Sequence, residues 1–209
     1  MFEKQLLNDL KNLSETFPKN WQITLLLADK LRSQKKFKES IELYSKVIEN
    51  ESVENKFAIL YSRGIAYERS NQWKKAEKDL SDALEINPND PYVLNYLAYS
   101  WLERKKNIPR AKKMLKQANE LSNWKLGYII DSLGWAYFLT NDYVEAERLL
   151  KLAYEKSPYE AEIYDHYGDV LWRLDKKLQA RYVWKNALKL ETIDDKIRKK
   201  IEYKITNGL

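Results

Sequence analysis

Cysteine is missing from all 209 residues. That excludes disulfides, thiolate metal sites and a cysteine nucleophile, and it leaves the redox compartment open. Histidine occurs once, as His166, so histidine-based catalysis or a histidine-rich metal site has little to build on. Glycine and proline number only five each, and neither a glycine-rich phosphate loop nor a G-x-S-x-G elbow is present. No run of 18 apolar residues occurs, the length a membrane-spanning helix needs. The start, MFEKQLLNDL, lacks the basic stretch and apolar run of an export signal, so the chain as written carries no address beyond the cytoplasm.

With so few breakers and an abundance of Ala, Glu, Lys, Leu and Arg, the chain favours helix throughout. Hydrophobic residues make up 44%, enough for a folded protein. The 15 tyrosines and 7 tryptophans suit helix-pair cores and binding surfaces alike. Net charge is +6 but unevenly spread. Residues 1–126 hold 23 basic against 17 acidic side chains, residues 127–194 hold 9 against 12, and residues 195–209 hold 5 against 2. The acidic block argues against one continuous basic track for nucleic acid.

Two segments repeat one another: DSLGWAYF from Asp131 and DHYGDVLW from Asp165, with Gly134 and Gly168 spaced 34 residues apart. With these glycines at position 8 of a 34-residue ruler, units fall at 127–160 and 161–194. Stepping back places Gly64 in 57–90, Ala98 in 91–126 and Ala28 in 21–56. Each unit reads as two helices. In 127–160, Ile130, Leu133, Gly134 and Tyr137 share one helical face. The NDY segment breaks the pattern, Ala146, Leu150 and Ala153 form the next face, and Pro158 stops it. The small residues Gly134 and Ala146 let the helices approach, with Leu150 and Tyr137 filling the space beside them.

These residues resemble the tetratricopeptide repeat, a 34-residue helix–turn–helix. Its pattern is an apolar residue at 4, Leu-Gly at 7–8, Tyr at 11, Ala at 20, an aromatic or Leu at 24, Ala at 27 and Pro at 32. Unit 127–160 matches every class. Unit 57–90 has Leu60, Gly64, Tyr67, Ala76, Leu80, Ala83 and Pro88, but Arg63 at position 7. Unit 161–194 has Tyr164, Tyr167, Gly168, Leu171, Ala180, Trp184 and Ala187, with Thr192 in place of proline. Unit 91–126 keeps Leu94, Leu97, Ala98, Ala111, Leu115 and Ala118, with Trp101 at 11. Unit 21–56 keeps Ala28, Leu31, Phe37 and Tyr44, with Ser40 where Ala is usual. The resemblance implies an all-α, right-handed superhelix, an α-solenoid of about twelve antiparallel helices.

Residues 1–20 fit an N-terminal helix or half-repeat, with Leu6, Leu10, Leu13 and Pro18 where a second helix carries 20, 24, 27 and 32. Such a half-repeat serves as a cap or continues a longer array, and the second is preferred. Residues 195–209 read as a capping helix: Ile193, Ile197, Ile201 and Ile205 recur at i+4 steps, with Asp194 and Asp195 placed to cap it.

The resemblance also implies that positions 2, 5, 9 and 12 of each first helix face a concave groove. Offsets 0, 3, 7 and 10 put such a quartet on one helical face. The expected groove residues are Tyr61, then Tyr92, Asn95 and Tyr99, then Tyr128, Asp131, Trp135 and Phe138, then Asp165, Asp169 and Trp172, with Glu162 and Leu102 on the same faces. Aromatics beside carboxylates suit a protein or peptide segment with apolar and basic side chains. Each aromatic could equally pack against a neighbouring helix, and each Asp could serve a helix end. The Lys and Asn clamp with which some relatives hold acidic chaperone tails is absent, since positions 5 and 9 carry Leu25 and Asp29, Tyr61 and Ile65, and Asn95 and Tyr99 in turn.

GYIIDSLGWAYF, EIYDHYGDVLWRL and ARYVWKNALKL further resemble the C-terminal repeats of bacterial envelope-associated members of the family. These include lipoprotein adaptors that assemble a carboxyl-terminal-processing protease with its substrates. The resemblance is best over residues 91–194 and implies a bacterial scaffold, with an envelope location if the chain is part of a longer protein. No lipid-bearing cysteine stands in this sequence.

Other readings stand beside the scaffold. Lys35, Lys36, Lys38, Lys74, Lys75, Lys105, Lys106, Arg110, Lys112, Lys176 and Lys177 lie near the inter-helix turns and could form a basic ridge for nucleic acid. Glu162 and His166, or Asp165 and Asp169, at i and i+4 could meet a metal, although neither metal, cofactor nor catalysis is expected. Terminal helices could pair between copies.

Overall fold

The computed structural model describes residues 2–209, with side chains from residue 5 onward. The described residues form twelve α-helices and no strand: α1 (Phe2–Thr16), α2 (Trp21–Ser33), α3 (Phe37–Glu49), α4 (Phe57–Arg69), α5 (Trp73–Ile86), α6 (Pro91–Glu103), α7 (Ile108–Leu121), α8 (Gly127–Leu139), α9 (Tyr143–Lys156), α10 (Ala161–Arg173), α11 (Lys177–Ala187) and α12 (Asp195–Asn207). From α2 to α5, and again from α6 to α11, consecutive helices pack against one another as antiparallel hairpins. The chain divides into two compact units, residues 1–88 with α1–α5 and residues 89–209 with α6–α12. No helix among the described residues is long and apolar enough to cross a membrane.

The scarcity of glycine is visible in the turns. All five first helices end on a residue in the left-handed region, the place where glycine is usual. Here it is Lys35, Asn71, Lys105, Asn141 or Asp175, with φ of 61, 62, 51, 60 and 61°. The following N–H then reaches back to the carbonyl of Leu31, Tyr67, Trp101, Tyr137 or Leu171 at 2.8–3.0 Å. Each left-handed residue stands 14 positions after its unit begins, so the backbone repeats with the side chains.

Between the helices of a hairpin, small residues face large ones. A Cβ added to Gly64 would stand 3.0 Å from Leu80 Cγ, and one added to Gly134 would stand 2.7 Å from Leu150 Cγ. Gly168 lies against the Trp184 indole. Tyr44, Leu80, Leu115, Leu150 and Trp184 expose no surface, each burial contributing about 1.5–3 kcal/mol.

In the first unit, departures from the repeat pattern are compensated locally. Ser40 is buried and donates to the Phe37 carbonyl at 2.9 Å. Tyr44 Oη donates to Asp29 at 2.6 Å. Arg63 reaches Asp79 on α5 and Ser45 on α3. The stripe on α1 differs from expectation: Leu7 is buried and Leu10 partly buried against Leu27, Leu31 and Leu43, whereas Leu6 and Leu13 are exposed. Packing on α2 alone rotates the buried face by one residue from the one a second helix would use.

In the second unit, α12 lies against α10 and α11. Ile193 and Ile201 are buried there, and Ile197 and Ile205 pack around them. The Asp194 carboxylate accepts from the Ile197 N–H at 2.9 Å, capping the helix.

Candidate functional site

In the second unit the first helices α6, α8 and α10 lie side by side, with α12 beyond α10. The face they share carries all the predicted groove residues except Tyr61, which sits half-buried on α4 of the other unit. The face divides into an interlocked part and an open part.

The interlocked part is a chain of charges. Asp131 on α8 holds His166 Nδ1 of α10 at 2.9 and 3.1 Å, with both side chains buried. The His166 ring stacks on Trp135 at 4.1 Å, and Trp135 stacks on Phe138 at 4.7 Å. Burial opposes a charge on His166, but the Asp131 carboxylate outweighs it and lifts the imidazole to about 9. Burial likewise pushes Asp131 above its ordinary value, with His166 drawing it back. Above them Tyr99 Oη donates to Glu162 Oε1 at 2.7 Å, linking α6 to α10. Burial and the nearby carboxylates raise Tyr99 far above an ordinary phenol.

Further along, Lys204 of α12 is itself buried and donates to Asp165 at 2.5 Å and to both oxygens of Asp169 at 2.5 and 2.7 Å. Lys200 adds a pair to Asp165 at 2.6 Å. Burial would raise Asp165, but Lys204 and Lys200 hold it below the usual carboxylate range. Asp169, buried and next to Asp165, rises to about 6. Asp131, Asp165 and Asp169, expected to face a ligand, are therefore engaged by the chain's own cations. Trp172 is likewise occupied, between Trp184, the Arg181 guanidinium 4.8 Å from its ring, and Gly208.

One rule underlies the pairing. Asp131 and Asp165 stand at position 5 of successive units, and His166 and Lys200 both stand at position 6 of the following helix, 34 residues apart. The signal for Lys200 lay in extending the repeat ruler past residue 194.

The open part lies on α6 and α8. Tyr92 is 48% and Tyr128 41% exposed, and they are close enough that Tyr92 helps burial raise the Tyr128 phenol. Asn95, one turn along from Tyr92, is nine-tenths buried, and its Oδ1 has no hydrogen-bond partner among the described residues. Glu103 and Glu162 remain exposed and keep the surroundings acidic.

Four cations of the basic turns are engaged within the chain. Lys176 pairs with Glu147, and Lys177 with Asp175. The Lys112 ammonium lies 3.4 Å from the Tyr137 ring centroid, and the Arg110 guanidinium 5.1 Å from that of Trp101. Glu162 is bonded to Tyr99 and His166 to Asp131, while Asp165 and Asp169 converge on the Lys204 ammonium.

The tetratricopeptide-repeat family model matches residues 57–90. The TPR repeat-containing protein PA4667 of Pseudomonas aeruginosa is 30% identical over 111 residues, 53% of this chain but only 18% of that relative's length. Among solved structures, a tetratricopeptide repeat protein of Parabacteroides merdae superposes with a TM-score of 0.75 at 19% identity, covering 94% of this chain and 77% of that one. The APC/C hetero-tetramer Cut9–Hcn1 gives 0.82 at 14% identity, over 99% of this chain and 39% of that one. With five hairpins of matching geometry, the chain is a tetratricopeptide-repeat protein. That fold is, in general, a scaffold for protein–protein interaction.

Proposed function

We propose that this protein binds a segment of a partner protein across α6 and α8, with Tyr92 and Tyr128 as apolar anchors. The observation that carries this reading is the neighbouring pair of exposed tyrosines, with the buried Asn95 Oδ1, which has no donor among the described residues, one helical turn from Tyr92. An unsatisfied buried acceptor costs about 1–3 kcal/mol, and a main-chain or side-chain N–H from a bound segment would recover it. Half-buried Trp135 and Phe138 extend the apolar surface. Glu103 and Glu162 favour a segment carrying Lys or Arg at its edge. The role is binding, not catalysis, because the titratable groups of this face are held by structural partners. The name of the Pseudomonas relative specifies the repeat and no partner, so assembly of an envelope protease with its substrates rests on resemblance alone. Nucleic-acid binding draws less support, because the exposed aromatics lie among carboxylates and Arg110, Lys112, Lys176 and Lys177 are already engaged within the chain.

A test is selection of binders from a random peptide library displayed on phage, followed by affinity measurement on the wild type and Tyr92→Ser/Tyr128→Ser. Both tyrosines are partly exposed, so the double variant should remain folded. Selected peptides should lose at least about tenfold in affinity, one factor of ten being 1.4 kcal/mol. Peptides that bind both proteins equally would place recognition elsewhere.

A further inference from the structure

Within the first unit, a pocket of about 410 Å³ opens between α3 and α5, with α4 as its floor. That volume lies within the ~300–1,000 Å³ range of small-ligand sites. It forms where the repeat is broken. Arg63 occupies position 7, which carries Leu27, Leu97, Leu133 and Tyr167 in the other units. Its Nε and Nη2 close on the two Asp79 oxygens at 2.7 and 2.9 Å, and Nη1 donates to Ser45 Oγ at 2.9 Å. A guanidinium has five N–H donors. One on each terminal nitrogen is therefore left without an acceptor among the described residues, on a side chain that is only 16% exposed and lines the pocket.

The rest of the lining is of two kinds. Ile48, Leu60 and Tyr67 supply apolar surface. Four cations, Lys56, Arg63, Lys75 and Lys78, meet two carboxylates, Asp79 and Asp82. Asp79 balances Arg63, and Asp82 balances Lys78 at 2.6 Å. Lys56 has no acidic partner among the described residues, and Lys75 reaches only the Gln72 amide while lying 5.4 Å from the Tyr67 ring centroid. The lining thus holds two more cations than carboxylates, with Glu49 outside it but close enough to act on Arg63, together with two free guanidinium donors and an aromatic wall.

We propose that this pocket receives a glutamate or aspartate side chain from an acidic segment of a partner protein, with a neighbouring apolar residue against Tyr67 and Leu60. The carboxylate accepts the spare Arg63 N–H groups between the Lys56 and Lys75 ammoniums. Arg63 is preorganised for this by Asp79, so little freedom is lost on binding. The site is separate from the α6–α8 face and stands or falls without it.

The probe is a fluorescein-labelled hexapeptide of alternating Glu and Phe, followed by anisotropy in 0.15 M salt, with a Gln-for-Glu twin and free 3-phenylpropionate as competitor. Wild type should bind the Glu peptide at least about tenfold more tightly than the twin. Lys56→Gln/Lys75→Gln should remove that preference. Arg63→Leu/Asp79→Leu restores an apolar pair across α4 and α5, so it should stay helical by circular dichroism while losing the peptide. Lys35→Gln/Lys36→Gln should bind like wild type. Equal binding of the two peptides, retention by both pocket variants, or an equal loss in Lys35→Gln/Lys36→Gln would overturn the proposal. Displacement by millimolar phenylpropionate is expected of a carboxylate pocket; a free acid binding where the peptide fails would overturn the protein-segment assignment.

Discussion

His166 Nδ1 lies 2.9 Å from Asp131 Oδ2, and this contact ties α10 to α8 where neither side chain reaches water. The folded chain holds the imidazole proton up to about 9, against about 6.5 for an ordinary histidine. A base whose value is raised by folding contributes its full stability below the ordinary value and loses it as pH rises through the folded one. The second unit should therefore lose on the order of 3 kcal/mol between pH 6.5 and 9.5. Denaturant melts across that range should show the loss in wild type and not in His166→Gln. The carboxylates act on the other side. The stability from Asp165 is present above about pH 4 and lost below it, since its value is depressed. Asp169, raised to about 6, loses its contribution as pH rises through that value.

Lys204 joins α12 to α10 through two buried carboxylates. Removing it leaves Asp165 with Lys200 alone and Asp169 without its cation. Lys204→Met should cost about 3–5 kcal/mol, the usual penalty for stranding a buried charge. Lys204→Met/Asp165→Asn/Asp169→Asn should recover part of that loss. Equilibrium unfolding of wild type and the two variants decides the matter, and equal stability of single and triple variants would contradict the assignment.

Gly168 and Gly64 occupy the same place in their units but meet different neighbours. An alanine methyl at 168 runs into the Trp184 indole, rigid and without exposed surface. At 64 it meets the Leu80 side chain at 3.0 Å. Gly168→Ala should cost about 2–3 kcal/mol. Gly64→Ala should be within about 1 kcal/mol of wild type, because the better helix propensity of alanine offsets the squeeze. Chemical denaturation of the two variants checks the ranking.

Lys35 and Lys105 end their helices in the left-handed region, which costs a side-chain-bearing residue about 1–2 kcal/mol. Glycine at either position should raise stability by about 0.5–1 kcal/mol. Asn71→Gly and Asn141→Gly should gain less, since asparagine tolerates this conformation. A thermal-melt comparison of the four substitutions gives the order directly.

The repeat was legible wherever a small residue and a large one recur at fixed spacing, as in Gly134 with Leu150 or Gly168 with Trp184. The turns were less so, because Lys35 and Asp175 adopt the conformation that glycine would have announced. On α1 the leucines offer two overlapping stripes, through Leu6 or through Leu7, and only contact with α2 selects the second. The quartets on α6, α8 and α10 were readable as one face. Their charge state was not, because Asp165 and Asp169 meet Lys200 and Lys204 from a helix lying beyond the last repeat. Arg63 was visible as a departure from the pattern, but its partners Ser45 and Asp79 come from two other helices.

The proposed recognition surface of the second unit consists of the exposed Tyr92 and Tyr128, with the buried Asn95 amide one turn from Tyr92. The most direct measurement is the affinity of a peptide selected on wild type for Asn95→Leu and for Tyr92→Ser/Tyr128→Ser, with the folded state of each verified by circular dichroism. Unchanged helicity and at least about a tenfold loss of affinity are expected for each. Retention of wild-type affinity by both folded variants would contradict the proposed surface.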